Sequence, residues 1–202
     1  MAQSSEYISL PKPTKTSERS LEQLLEQRRS VRAFRKAPLR LAEVGQLLWA
    51  AQGISDPRGF RTAPSAGALY PLELYVVAGA VDGLPPAVYH YHPKGHRLVE
   101  TSDGDRRQAL ARAALGQSWV RDAAAVVVFA AIFKRTTRKY GNRGVRYVHM
   151  EVGHAAQNLF LQAEALGLGT VVVGAFDDEE VNTTLQLPSN MQPLMLMPVG
   201  RK

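Results

Sequence analysis

The chain has 202 residues, of which 45% are hydrophobic, with a formal charge of +7 and no cysteine. That is enough for one domain with a substantial core, and it excludes disulfides, thiolate metal sites and a cysteine nucleophile. The basic residues are scattered apart from Arg28–Arg35 and Lys134–Arg146, and neither group is interleaved with aromatics as a single-strand groove would be, so a nucleic-acid groove is not expected.

The N-terminal stretch to about Thr16 is polar, carries Pro11 and Pro13, and reads as an extended arm preceding one domain over 17–202. It lacks a basic start followed by an apolar run, and no stretch of about 18 apolar residues follows, so a cytoplasmic protein without a spanning helix is expected. A first helix is predicted from Ser17 as N-cap, with Leu21, Leu24 and Leu25 on one face, running into Arg28-Arg29-Ser30-Val31-Arg32. Val44, Leu47, Leu48 and Ala51 predict a second helix closed by Gly53. Ser55–Leu69 has no period and reads as a long ordered loop of the kind that carries function.

Leu72–Ala78 reads as a strand, Ala87–His92 and Arg97–Thr101 as a hairpin, and Asp105–Leu115 as an amphipathic helix. Ala123–Phe133 is valine-rich and almost wholly apolar, which predicts a strand covered on both faces. Arg146–Leu166 is the longest predicted helix. Its stripe of Val148, Val152, Ala155, Leu159, Ala163 and Leu166, widened by Ala156 and Phe160, suggests cover on more than one side, as a dimer would give. Thr170–Ala175 is a predicted buried strand, Asp177 a cap for a short helix to Leu185, and Leu194–Val199 a last strand. This irregular alternation predicts an α+β domain: a mixed, mainly antiparallel sheet flanked by helices.

Several chemistries leave no trace. The chain has no Gly-x-Ser-x-Gly elbow, no Walker loop and no His-Glu-x-x-His. Of the five histidines, His90, His92 and His96 lie on the hairpin without a carboxylate motif, so no metal site is expected. Gly167-Leu168-Gly169 ends a helix and opens a strand, the reverse of a dinucleotide fingerprint, and reads as helix capping. Gly174 differs, since a glycine within a strand marks a close ligand approach.

The positive signal starts at Arg28–Arg32. Arg28 and Arg32, four apart on the predicted helix, together with the Ser30 hydroxyl make a plausible phosphate clamp, although helix ends also carry arginines for dipole reasons. Arg201-Lys202 could complete the clamp or be a frayed tail. In Thr62–Pro71, small residues would let backbone amides approach a flat ligand; Pro64 and Gly67 alone would equally explain a turn.

Taken in order, Arg28-Arg29-Ser30-Val31-Arg32, Pro64-Ser65-Ala66-Gly67-Ala68-Leu69-Tyr70-Pro71, Arg146–Leu159, Gly167-Leu168-Gly169 and Val173–Asp178 resemble the nitroreductase superfamily, nearest its SagB-type branch, which includes azoline dehydrogenases. The resemblance covers the chain from about Ser20 onward. It implies the nitroreductase-like fold and an intertwined homodimer with two FMN sites, each built from both subunits. It further implies that Arg28, Arg29, Ser30 and Arg32 bind the phosphate, ribityl and pyrimidine sides, with Pro64, Ser65, Ala66 and Gly67 supplied by the partner chain. Val173 and Gly174 would lie along the isoalloxazine, and Arg201 and Gln117 are looser carry-overs to phosphate and ring. Lys139-Tyr140 is similar to the pair that handles the substrate proton in the dehydrogenase branch; a basic loop with a packed tyrosine is the alternative.

Two activities follow from the resemblance. In one, NAD(P)H reduces FMN and a small acceptor such as a nitroaromatic or quinone reoxidises it, in a ping-pong hydride-transfer cycle. In the other, FMN oxidises an azoline or similar substrate with Lys139 and Tyr140 managing the proton. A non-catalytic flavin-binding protein is a third reading.

Overall fold

The computed structural model describes residues 7–202; residues 1–6, the start of the expected arm, lie outside the described residues. In chain order the strands are β1 (Tyr7–Ser9), β2 (Leu39–Arg40), β3 (Leu72–Ala78), β4 (Val81–Asp82), β5 (Ala87–His92), β6 (Arg97–Asp103), β7 (Ala125–Ala131), β8 (Leu168–Thr170) and β9 (Gln192–Arg201). The helices are α1 (Leu21–Gln27), α2 (Leu41–Gln52), α3 (Arg107–Ala113), α4 (Ser118–Asp122), α5 (Lys134–Tyr140), α6 (Arg143–Ala165) and α7 (Asp178–Leu185).

Seven strands form one sheet in the order β1-β6-β5-β3-β7-β9-β8, and each of these pairings is antiparallel. Parallel contacts occur between β2 and β4 and at a single bridge from Ser30 to Thr170. β2 and β4 stand apart as a two-stranded sheet, so the main sheet is antiparallel with one parallel bridge at its β8 edge, in keeping with the mixed, mainly antiparallel arrangement its sequence suggests.

β7 shows why the domain has three layers. Every one of its residues is buried, and its side chains alternate between two cores. Ala125, Val127, Phe129 and Ala131 face the core beneath α2 and α6, while Val126, Val128 and Ala130 face the core beneath α3, α4 and α7. β3 follows the same rule, with Leu72, Leu74 and Val76 on the first side and Tyr75 and Val77 on the second. Helices must cover both faces.

The long helix differs from its expectation in one respect. Val148, Val152, Ala155, Ala156, Leu159, Phe160 and Ala163 are all buried within the protomer, packed against the sheet and α2. Its stripe therefore needs no partner subunit to cover it.

α1 starts at Leu21 with Ser20, not Ser17, as N-cap. Ser20 and Gln23 form a reciprocal capping box, which satisfies two orphan donors and fixes the start. Of its three leucines only Leu24 is buried. The described part of the arm is extended, and β1 pairs with β6 at the sheet edge.

Two buried acids tie down the C-terminal residues. Glu43, in the first turn of α2, takes both oxygens to the Arg201 fork at 2.8 Å each and also accepts from the Arg40 guanidinium at 2.8 Å. Glu164 accepts from Lys202 Nζ at 2.5 Å and pairs with Arg19. Burial alone would raise the Glu43 carboxyl, yet hydrogen bonds from Arg40 and Arg201 hold it below the ordinary value. A group depressed in this way stabilises the fold above its unfolded pKa, and the contribution is lost as the pH falls. Glu43→Ala should leave the Arg201 guanidinium unpaired and lower stability by about 3 kcal/mol, read as an earlier urea-unfolding midpoint at pH 7.

Candidate functional site

Two clusters of the expected site residues form, one at the β8 edge and one over the first half of α6. At the β8 edge, the chain turns out of α1 at Arg28, whose φ of −54° and ψ of 124° are not helical. Residues 28–32 therefore run alongside β8 rather than continuing a helix, and Arg28 and Arg32 do not share a helical face. Val31 N–H donates to the Thr170 carbonyl at 2.9 Å, and Ser30 bridges the same residue. The fit depends on Gly169, where a Cβ would stand 2.7 Å from Val31 Cγ1.

In this extended segment Arg28 lies over the Phe160 ring at 4.9 Å and Arg32 over the Trp119 ring at 5.8 Å. Arg29 Nη1 donates to the carbonyls of Glu26 and Arg28 at 2.7 and 2.9 Å. Among the described residues no carboxylate pairs with Arg28, Arg29 or Arg32. Three unneutralised guanidinium groups, with an exposed Ser30 hydroxyl between them, suit a phosphate.

The predicted strand over 170–175 is not continuous. β8 ends at Thr170, and beyond it Val173 alone exchanges hydrogen bonds with Leu196, at 2.8 and 2.9 Å. Val173 is buried, whereas Gly174 is exposed and a Cβ placed there would meet nothing within 4 Å. The backbone at Gly174 thus borders open space. Gln117 spends both amide N–H groups on the carbonyls of Ala114 and Ala175, at 2.8 and 2.9 Å, which pins this segment and leaves only its carbonyl oxygen for a ligand.

The second cluster is the Pro64–Gly67 loop. It closes in a short 3-10 turn at Ala66–Ala68, with Gly67 at φ 63° and ψ 18°. Ser65 Oγ accepts the Tyr70 N–H at 2.9 Å. Lys139 and Tyr140, in the last turn of α5, converge on this loop: a Cβ on Gly67 would lie 2.8 Å from Tyr140 Oη and 3.0 Å from Lys139 Nζ. Tyr140 packs edge-on against Tyr147 at 5.2 Å. The pair is therefore helical, and it meets the loop of its own protomer.

Beneath the loop a cavity of about 280 Å³ is lined by Pro64, Ser65, Ala66, Tyr147, Met150, Glu151 and His154. Glu151 is 2% exposed and its Oε1 has no hydrogen-bond partner. Burial pushes its carboxyl up to about 7, against the opposing pull of Ser65, Arg61 and Gln52. The sequence reading passed over this residue. It lies three residues after Val148 and four before Ala155, so it interrupts the buried stripe of a helix, and that position is the signal.

The two clusters do not meet within one protomer. Phe160, under Arg28, lies nine residues beyond Glu151, which is about 13 Å along α6 at ~1.5 Å per residue. Arg201 joins neither cluster, because its fork is held by Glu43 and its backbone bridges Arg35. The hairpin histidines serve the sheet: His90 Nε2 meets Glu73 at 2.7 Å, and His96 Nδ1 meets the Tyr91 hydroxyl at 2.9 Å.

Comparison with known proteins places this geometry. The model described as the nitroreductase family matches residues 25–201. A protein of Methanocaldococcus jannaschii with a provisional nitroreductase name is 52% identical over 182 residues, covering 90% of this chain and 91% of its own. The microcin B17-processing protein McbC of Escherichia coli is 30% identical over 173 residues, which cover 82% of this chain and 63% of that protein. A solved structure from Ralstonia eutropha JMP134, also under a provisional nitroreductase name, superposes with a TM-score of 0.85 at 30% identity, covering 99% of this chain and 91% of its own.

The crowding at Gly67 has a measurable consequence. Gly67→Ala should destabilise the chain by about 1–2 kcal/mol, because alanine is disfavoured at this positive φ and must displace the ends of Lys139 and Tyr140. Chemical denaturation of the variant beside the parent chain measures this.

Proposed function

The chain belongs to the nitroreductase family of oxidoreductases, and from that premise we propose that it binds FMN between two copies of itself and passes electrons from NAD(P)H to a small acceptor such as a nitroaromatic or quinone. The observation that carries this reading is the set of unneutralised donors along Arg28–Arg32, beside the open backbone at Gly174. An anionic group and a flat ring would find matched partners there.

In this reading Arg28, Arg29, Ser30 and Arg32 hold the phosphate and the polar side chain of the cofactor. Val173 and Gly174 border the ring, and Gln117 keeps that border in place through Ala175. Arg201 is not assigned to the site, since the buried Glu43 already holds its fork with both carboxylate oxygens. The Pro64–Gly67 loop would reach the β8 edge from a second copy, because the two clusters stand apart on one helix. Exposed apolar side chains suit such a contact: Leu21 and Leu25 on α1, Val145 and Met150 on α6. Bound FMN would supply the two-electron chemistry, and the reductase role asks of the chain only binding, orientation and an open face.

A second reading is favoured by one specific observation, the convergence of Lys139 Nζ and Tyr140 Oη on Gly67. There the chain would oxidise an azoline or similar substrate, with the Lys139 amine taking a proton and Tyr140 hydrogen-bonding the same centre. The likeness to McbC, a protein named for processing microcin B17, points the same way.

The purified chain should be yellow, contain one FMN per protomer and elute as a dimer, and its flavin absorbance should bleach when NADPH is added without oxygen. A colourless chain that cannot be loaded with FMN would sink the proposal. Replacing Arg29 and Arg32 together by alanine should weaken FMN binding at least tenfold, measured by quenching of flavin fluorescence. Lys139→Ala should leave NADPH-driven acceptor reduction within about threefold of the parent, while removing at least 100-fold of any azoline oxidation.

A further inference from the structure

A polar ring lies under the Pro64–Gly67 loop. Arg61 Nη1 donates to Gln52 Oε1 at 2.7 Å, and Arg61 N–H donates to the Tyr70 hydroxyl at 3.3 Å, with the guanidinium over that tyrosine ring at 4.6 Å. Tyr70 N–H in turn donates to Ser65 Oγ at 2.9 Å. Glu151 lines the same cavity as Ser65, and Ser65, Arg61 and Gln52 all act on its carboxyl. Gln52 Nε2 and Glu151 Oε1 are both buried and both lack a partner. A buried carboxyl so placed has only two ways to complete the ring, and its proton decides between them.

We propose that Glu151 is a positioning residue for flavin binding: carrying a proton, it sets the Ser65 hydroxyl to donate outward from the loop, and on losing that proton it claims the hydroxyl for itself. The inference rests on the FMN reading above. A neutral Glu151 donates its O–H to Ser65 Oγ. That oxygen then accepts from both Glu151 and Tyr70, and the Ser65 O–H is free to donate to the cofactor side. An ionised Glu151 only accepts. It takes the Ser65 O–H and the Gln52 amide, and it adds a negative charge behind a loop that receives an anionic cofactor.

The neighbourhood favours the neutral form. α2 contributes only the neutral Gln52 against this carboxyl, the loop contributes Arg61 and Ser65, and Tyr147 and His154 of α6 line the same cavity. Arg61 is the cation whose charge acts on it, and that charge is shared with Glu73 of β3 and opposed by Arg135 of α5. With burial raising the carboxyl to about 7, the exchange falls within the working range of the protein.

The test compares FMN dissociation constants of the parent chain and Glu151→Gln from pH 6 to pH 8. Glutamine keeps the shape and the donor but cannot ionise. The cofactor phosphate, with a second pKa near 6, acts on both proteins alike, so the ratio of the two constants is the quantity read. The parent-to-variant ratio should climb about tenfold across this range, since only the protonated fraction binds at full strength. Ser65→Ala should bind more weakly than the parent at pH 6, approach the parent at pH 8 and lose most of the pH dependence, which a merely structural role for Glu151 would not produce.

Unfolding of the flavin-free proteins gives an independent readout. A carboxyl whose pKa rises on folding costs stability as the pH climbs from its unfolded value toward 7, so the Tm advantage of Glu151→Gln should widen from pH 5 to pH 8. A flat ratio of dissociation constants, or a Ser65→Ala chain that keeps the full pH dependence of the parent, overturns the proposal while leaving the FMN reading intact. Failure of both proteins to bind FMN at any pH overturns that reading and this inference together.

Discussion

The arrangement depends on one rigid beam. α6 runs for 23 residues with its apolar stripe pressed into the core, so whatever packs along it is held at a fixed separation. The Pro64–Gly67 loop and the end of α5 rest on its first half, and the Arg28 segment rests near its end over Phe160. Neither cluster can slide toward the other without unpacking that core. The proposed dimeric site follows from this separation, with one cluster taken from each of two copies.

Much of the fold was legible because burial leaves a period in the sequence. The apolar run of β7 predicted a strand covered on both faces and the LELYVVA of β3 a strand, and both lie at the sheet centre with every residue of β7 buried. Where local chemistry competes with pattern, the reading slipped. Arg28–Arg32 reads as a helical continuation because nothing in it breaks a helix, but Val31 finds a better partner in the Thr170 carbonyl, admitted by the missing side chain of Gly169. Thr170–Ala175 reads as a strand from its valines, yet only Val173 pairs beyond β8.

The candidate site divides along the same line. Motif residues were found by their order in the chain, whereas their neighbours were not, because a contact such as that between Gly67 and Tyr140 spans separate elements and leaves no spacing to read. Arg201 shows the opposite error. A basic residue next to a phosphate motif invites assignment, but the buried Glu43 claims its fork first. Glu151 was visible as a charge on a buried stripe, and its meaning required the loop lying over it.

Three residues at the start of the described chain carry a further consequence. β1 covers the outer edge of β6, and the guanidinium of Arg97 sits 3.5 Å from the centre of the Tyr7 ring. At the opposite edge β8 is flanked by the Ser30 segment. An antiparallel sheet with bare margins is a template on which other chains add strands and aggregate. Here both margins are occupied by short or irregular backbone, so the β1 segment and the Arg28–Arg32 segment also act as guards against polymerisation. Trimming the first ten residues to tidy the chain for crystallisation would remove one of those guards.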